Sequence, residues 1–145
     1  MTLPLGQNLQ SHRVVAILFL LASLSGCQTG TDQATLQTLS SLSQFQLGFI
    51  GTYTAAPGKQ WDDSKFQSDI ATGEAMFTKA IAGVTDQKRK NALEILHRQF
   101  QKDYTFLRKR AKEGKPFFSV AAAQEKKQTI GQNYDLAKKG ELVRS

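Results

Sequence analysis

Cysteine is almost missing from this chain: 145 residues hold one, Cys27, with two histidines, three prolines and a single tryptophan. One thiol excludes an intrachain disulfide. The scarcity of Cys and His leaves too few ligands for a structural zinc site, which needs four. Long apolar runs are also absent. The most extended, from Val14 to Leu24, falls well short of the roughly 20 residues that span a bilayer. Period-two alternation is lacking everywhere, which argues against strands and for an all-α fold. Charge is missing from one long stretch: nothing ionisable as Asp, Glu, Lys or Arg lies between Asp32 and Lys59.

The apolar run sits where a targeting signal would. Arg13, with His12, closes a positive n-region, Val14 to Leu24 form a short h-region, and Ser25 and Gly26 are small residues before a cut. The tetrad Leu24-Ser25-Gly26-Cys27 resembles the lipobox of bacterial lipoprotein precursors. That resemblance implies that residues 1–26 are a signal peptide that is removed, and that Cys27 takes a thioether-linked diacylglycerol and an amide-linked acyl chain. Each buried CH₂ adds about 0.8 kcal/mol, so two or three chains anchor permanently. Gln28, rather than Asp, follows the cysteine, a pattern similar to lipoproteins sorted to the outer membrane facing the periplasm. The resemblance covers residues 13–27 and implies nothing about the domain that follows. Residues 27–31 would then be the lipidated cysteine and a tether of at most about 18 Å, which keeps the domain, 32–140, against its membrane. Residues 141–145 read as a tail.

From Cys27 onward 18 basic residues face 12 acidic ones, a net +6. The first part, 27–84, holds 3 basic and 5 acidic side chains; the second, 85–145, holds 15 and 7. Anionic partners are therefore expected at the second half.

Spacings of three and four predict four helices and a small bundle-like domain. The first, from Thr31 or Asp32 to Tyr53, carries Leu36, Leu39, Leu42, Phe45, Phe49, Ile50 and Tyr53. Its uncharged remainder is either covered by neighbouring helices or rests on lipid or a partner. Ala55-Ala56-Pro57-Gly58 breaks it. Asp62 caps the second helix, with Trp61 and Phe66 as a hydrophobic staple, and Gly83 is expected as its C′ residue. Gly73 and Ala80 leave room for a close neighbour. The third helix, capped by Thr85 or Asp86 and ending before Gly114, has Leu93, Leu96, Phe100, Tyr104, Leu107 and Ala111 on one face, with Ile95 and Phe106 on a second apolar line. The fourth, from about Ser119 to Lys139, carries Val120, Ala123, Ile130, Tyr134 and Ala137 and is interrupted by Gly131.

Chemistry-bearing constellations are few. Glu94 and His97 have the Glu-x-x-His spacing of di-iron bundles, which need two such pairs and two more carboxylates. A single His97 makes a histidine at the border of the core face, with Glu94 as local partner, the simpler reading. No Gly-x-Ser-x-Gly turn presents a nucleophile, and Asp62 and Asp63 fit a helix cap better than an acid–base pair. The expectation is a protein that is not an enzyme and binds no cofactor or metal.

The basic residues are the remaining signal. Lys90, Arg98, Arg108, Lys109 and Lys112 fall within one broad sector of the third helix, and Lys115, Lys126 and Lys127 follow, with Phe117 and Phe118 between. Such a set suits anionic headgroups, a nucleic-acid backbone or an acidic protein, though no base-reading motif is present. It is equally what a solvated helix face looks like. Two functions follow: a membrane-anchored docking or accessory module for another envelope protein, or a binder of anionic polymer or lipid.

Overall fold

The structure, a computed structural model, describes residues 29–142. Residues 1–28, which include the expected signal peptide and Cys27, and residues 143–145 lie outside the described residues. Four helices follow one another: α1 (Thr29–Thr52), α2 (Asp63–Ala82), α3 (Gln87–Lys112) and α4 (Val120–Leu142). Each helix is antiparallel to the one before it, and the four close a ring in which α1 meets α2 and α4, and α3 sits diagonally across from α1. The domain is an all-α four-helix bundle, with no strand among the described residues.

The apolar stripes read from the sequence meet in one core. Leu39, Leu42, Phe49 and Ile50 of α1, with Tyr53 just after it, face Phe66, Ile70 and Phe77 of α2, Leu93, Leu96, Phe100 and Leu107 of α3, and Ala123, Ile130 and Tyr134 of α4. Gly73 lets aromatic rings cross the centre. A Cβ at that position would lie 2.5 Å from the Phe100 ring and 2.6 Å from that of Phe45. Phe45 and Phe49 of α1 consequently reach Phe100 on the diagonal helix, with ring centroids 5.7 and 5.1 Å apart.

Capping side chains fix the helix starts. Asp62 accepts from the Lys65 amide at 2.9 Å, Asp86 from the Arg89 amide at 2.8 Å, and Ser119 Oγ from the Ala122 amide at 3.2 Å. Trp61 packs on Phe66 at 4.6 Å, which closes the expected staple. Gly83 behaves differently from expectation. Its φ is −78°, so it continues in the right-handed region, while Val84 N–H bonds the Ile81 carbonyl. The left-handed glycines are Gly58, φ +72°, in the α1–α2 connection, and Gly114, φ +75°, after α3.

Three further expectations are corrected. Gly131 does not interrupt α4, which runs unbroken to Leu142. Glu141, read as tail, lies inside that helix, is buried, and pairs with Arg89 at 2.5 Å. Val120 is 65% exposed and does not join the core.

One end of the bundle carries the two longer connections. There Ala55 N–H donates to the Phe118 carbonyl at 2.8 Å and Phe118 N–H to that of Tyr53 at 2.9 Å. Thr29, the α2–α3 turn and the end of α4 share the opposite end, as the Arg89–Glu141 pair and the packing of Ala34 near Gly83 show.

Candidate functional site

The outer face of α3 is where charge and exposed apolar surface coincide. Between Gln87 and Lys112 this helix has nine basic and two acidic residues. That excess of seven equals the formal net charge of the whole chain. Its core stripe is turned inward by Leu93, Leu96, Phe100 and Leu107, so at about 100° per residue Arg98, Lys102 and Lys109 point the opposite way. These three, with Gln101, Thr105 and Phe106, line a shallow depression of about 490 Å³. Arg98, Lys102 and Lys109 are exposed.

Phe106 and Ile95 border that line of cations. The sequence sets both on a second apolar line, and both are exposed: Ile95 is 55% and Phe106 43% exposed. The reason lies in α4, which leans on α1 and meets α3 along a thin seam. That seam is polar. Asn133 donates to Gln99 at 2.9 Å, Lys126 binds Asp103 at 2.6 Å, and Arg89 binds Glu141. Leu136, on the neighbouring edge of α4, is 66% exposed as well. Phe106 stacks parallel on Phe118 at 5.5 Å, and the Arg110 and Lys126 cations lie over its ring at 5.8 and 5.7 Å.

The eight basic residues singled out in the sequence do not form one patch. Arg98 and Lys109 belong to the α3 face, and Lys112 and Lys115 are exposed toward its far end. Lys90 is half-buried near the start of α3. Arg108 turns toward α2, over the Tyr104 ring at 5.4 Å and 3.5 Å from Gln67 Oε1. Lys127 approaches Gly51 on α1, on another side of the bundle. Lys126 is held against the bundle by Asp103, with its ammonium over the rings of Phe106 and Phe118. Lys102 was missed, although its spacing from Arg98 and Lys109 places it on their line. Asp103 was missed too, because nothing local marks a charged residue that ends 3% exposed. Burial pushes its carboxyl above the ordinary range, and the Lys126 ammonium offsets only part of that.

His97 takes a partner from another helix. Its Nε2 lies 2.8 Å from Glu74 Oε2, its ring stacks on Phe77 at 4.9 Å, and Gln101 Nε2 is 3.2 Å away. Tyr104 completes the cluster beside Glu74. Burial first, then the neighbouring Glu74 carboxylate, raise its hydroxyl pKa, while Arg108 opposes the shift. This small network ties α2 to α3. No group of three or more His, Cys, Asp or Glu side chains that could hold a metal occurs among the described residues.

A second concavity, about 610 Å³, opens between α1 and α2 near Thr29. Leu42, Met76, Ala80, Val84 and Leu93 form its apolar walls, and Lys79 stands at its rim. No described helix is long and apolar enough to cross a membrane.

No protein-family model, curated protein or solved structure matches this chain. The functional reading therefore rests on the residues and their geometry alone.

Proposed function

We propose that this protein is a lipid-anchored lipoprotein of the bacterial envelope, held at the periplasmic face of the outer membrane, that works without catalysis as a docking module for another envelope protein. The observation that carries the docking role is the α3 face: Arg98, Lys102 and Lys109 in line, flanked by exposed Ile95 and Phe106. Apolar side chains among unpaired cations suit a partner with acidic and apolar residues interleaved, such as an amphipathic helix. Cations give on-rate and register; a buried aromatic gives most of the affinity.

The layout of charge favours a protein over the bilayer or a polymer. From Thr29 to the level of Lys109–Lys115 is roughly 30 Å along α1 at 1.5 Å per residue. With the bundle upright on a tether at Cys27, those cations stand well away from the lipid. A polymer would want a continuous basic track, yet Lys126 is neutralised by Asp103, while Arg108 and Lys127 diverge to other sides. The anionic-polymer or anionic-lipid reading remains the alternative, and it draws on the same three cations.

Two measurements test the proposal. Mass spectrometry of the mature N-terminus should find Cys27 acylated, and an unmodified thiol would remove the anchor. For docking, a photo-crosslinker at Thr105, in the same depression, should capture one defined protein in native membranes, and Phe106→Ala and the triple reversal Arg98→Glu, Lys102→Glu, Lys109→Glu should each abolish capture. The polymer alternative predicts instead that Phe106→Ala leaves DNA or anionic-vesicle binding intact, while the triple reversal removes it and moderate salt weakens it steeply.

A further inference from the structure

The outward face of α1 is as unusual as that of α3, for the opposite reason. Gln33, Gln37, Ser41, Gln44 and Gly48 recur at intervals of four, four, three and four residues, so they form one file along the helix, and all five are exposed. The file carries no charge. It follows that neighbouring helices do not cover this uncharged face, one of the two readings its sequence allowed. A shallow groove of about 430 Å³ runs along it, bordered by Leu36 and Ser40. Gly48 leaves the backbone bare, since a Cβ there would meet nothing within 4 Å.

We propose that this face binds a second copy of the same chain, α1 against α1 and parallel, to give a two-fold dimer standing on one membrane. The parallel sense rests on the anchor at Cys27 proposed above, which puts both N-termini on the same surface. Three arguments select a second copy as the occupant.

The first is chemical. A glutamine amide both donates and accepts, as does a serine hydroxyl. A file of Gln and Ser is thus complementary to itself across a two-fold axis, where residue meets like residue. A strongly charged partner would find no counter-ion on this face.

The second is electrostatic. The excess charge of α3 lies diagonally across the core from α1. With interaxial spacings of about 9 Å, pairing through α1 leaves the two α3 helices more than about 30 Å apart, several Debye lengths at physiological salt, where that length is about 8 Å. Pairing through α3 would bring like charges together. The third is confinement: two copies anchored in one surface meet at a raised effective concentration, so a polar interface of modest affinity suffices.

The test uses the scarcity of cysteine. In the acylated protein the only native thiol is blocked, so Gln44→Cys introduces a unique one, and in a parallel pair it faces its own equivalent. A short bis-maleimide added to native membranes should crosslink Gln44→Cys and Gln37→Cys to dimers several-fold more than Lys102→Cys on α3. Adding Ser41→Lys and Gly48→Lys to Gln44→Cys should abolish the product without lowering the thermal unfolding temperature of the bundle. Equal crosslinking at Gln44→Cys and Lys102→Cys, or a dimer that survives the two lysines, would overturn the proposal. Crosslinking of the parent chain itself would instead expose a free Cys27. That outcome counts against the anchor and hence against the parallel sense, and repeating the series on Cys27→Ser then decides the α1 interface alone.

Discussion

The Lys126 ammonium lies 2.6 Å from Oδ1 of Asp103, a carboxylate of which 3% is exposed, and the rings of Phe106 and Phe118 lie 5.7 and 5.2 Å from the same nitrogen. The other carboxylate oxygen, Oδ2, is buried without a partner. A cation that the sequence offers to a ligand is thereby engaged in joining α4 to α3. Removing either member of the pair has unequal effects. Lys126→Met leaves a buried, uncompensated carboxylate and should cost about 2–3 kcal/mol, whereas Asp103→Asn leaves Lys126 partly exposed to water and should cost less than about 1 kcal/mol. Urea unfolding of the two variants checks the order; a costlier Asp103→Asn would contradict it.

The same pair sets a pH dependence. The Asp103 carboxyl is raised in the folded state by burial. Between the ordinary Asp value and that raised value the folded chain binds more protons than the unfolded one, so this group lowers stability as pH rises through the window and releases the cost as pH falls. The stability of the parent minus that of Asp103→Asn, measured across mildly acidic pH, should therefore fall as pH rises. A difference independent of pH would show that Asp103 titrates normally.

Gly73 is required by its neighbours. An added methyl would meet Phe100 at 2.5 Å and Phe45 at 2.6 Å, both ring atoms held in the core. Gly73→Ala should destabilise by about 1–3 kcal/mol although alanine is the better helix former by about 1 kcal/mol. Gly131→Ala, where a Cβ meets nothing within 4 Å, should instead stabilise. Thermal melts of the two variants should move in opposite directions.

Tyr134 donates to Gln46 Oε1 at 3.0 Å in the fully buried interior between α4 and α1, and Gln46 Nε2 has no partner. Burial raises the Tyr134 pKa, so the hydroxyl stays a donor throughout the physiological range. Tyr134→Phe should cost about 1–2 kcal/mol because it leaves the glutamine wholly unpaired. Adding Gln46→Leu should recover most of that loss. A double-mutant cycle in denaturant that gives additive costs would refute the coupling.

Tyr53 donates to Asp69 Oδ2 at 2.7 Å, across α1 and α2, beside the Trp61 and Phe66 rings. Asp69 also holds Lys65 one turn earlier at 2.8 Å. Tyr53→Phe should cost about 1 kcal/mol, and Lys65→Ala on the exposed side of the same carboxylate less than about 0.5 kcal/mol. Unfolding midpoints that reverse this ranking would show that the exposed pair dominates.

Helix count, caps and the inward stripes were legible in the sequence because they depend on local spacing: Asp62, Asp86 and Gly114 act within a few residues of themselves, and Phe66, Ile70 and Phe77 recur with the helical period. The all-α class followed from the same periodicity. What the sequence could not show is which neighbour each helix chooses. Ile95 and Phe106 form a second apolar line, but α4 leans on α1 and leaves them in water. Lys126 looked available because lysines usually are, but Asp103 waits for it one helix away, and the contacts of Lys127 and Arg108 send them to different sides. Glu74, 23 residues from His97, became its partner where Glu94 in the same helix did not. Local chemistry determined the elements; the direction of every ambiguous side chain was decided by long-range packing, since a helix has several faces and only its neighbours choose which of them meets solvent.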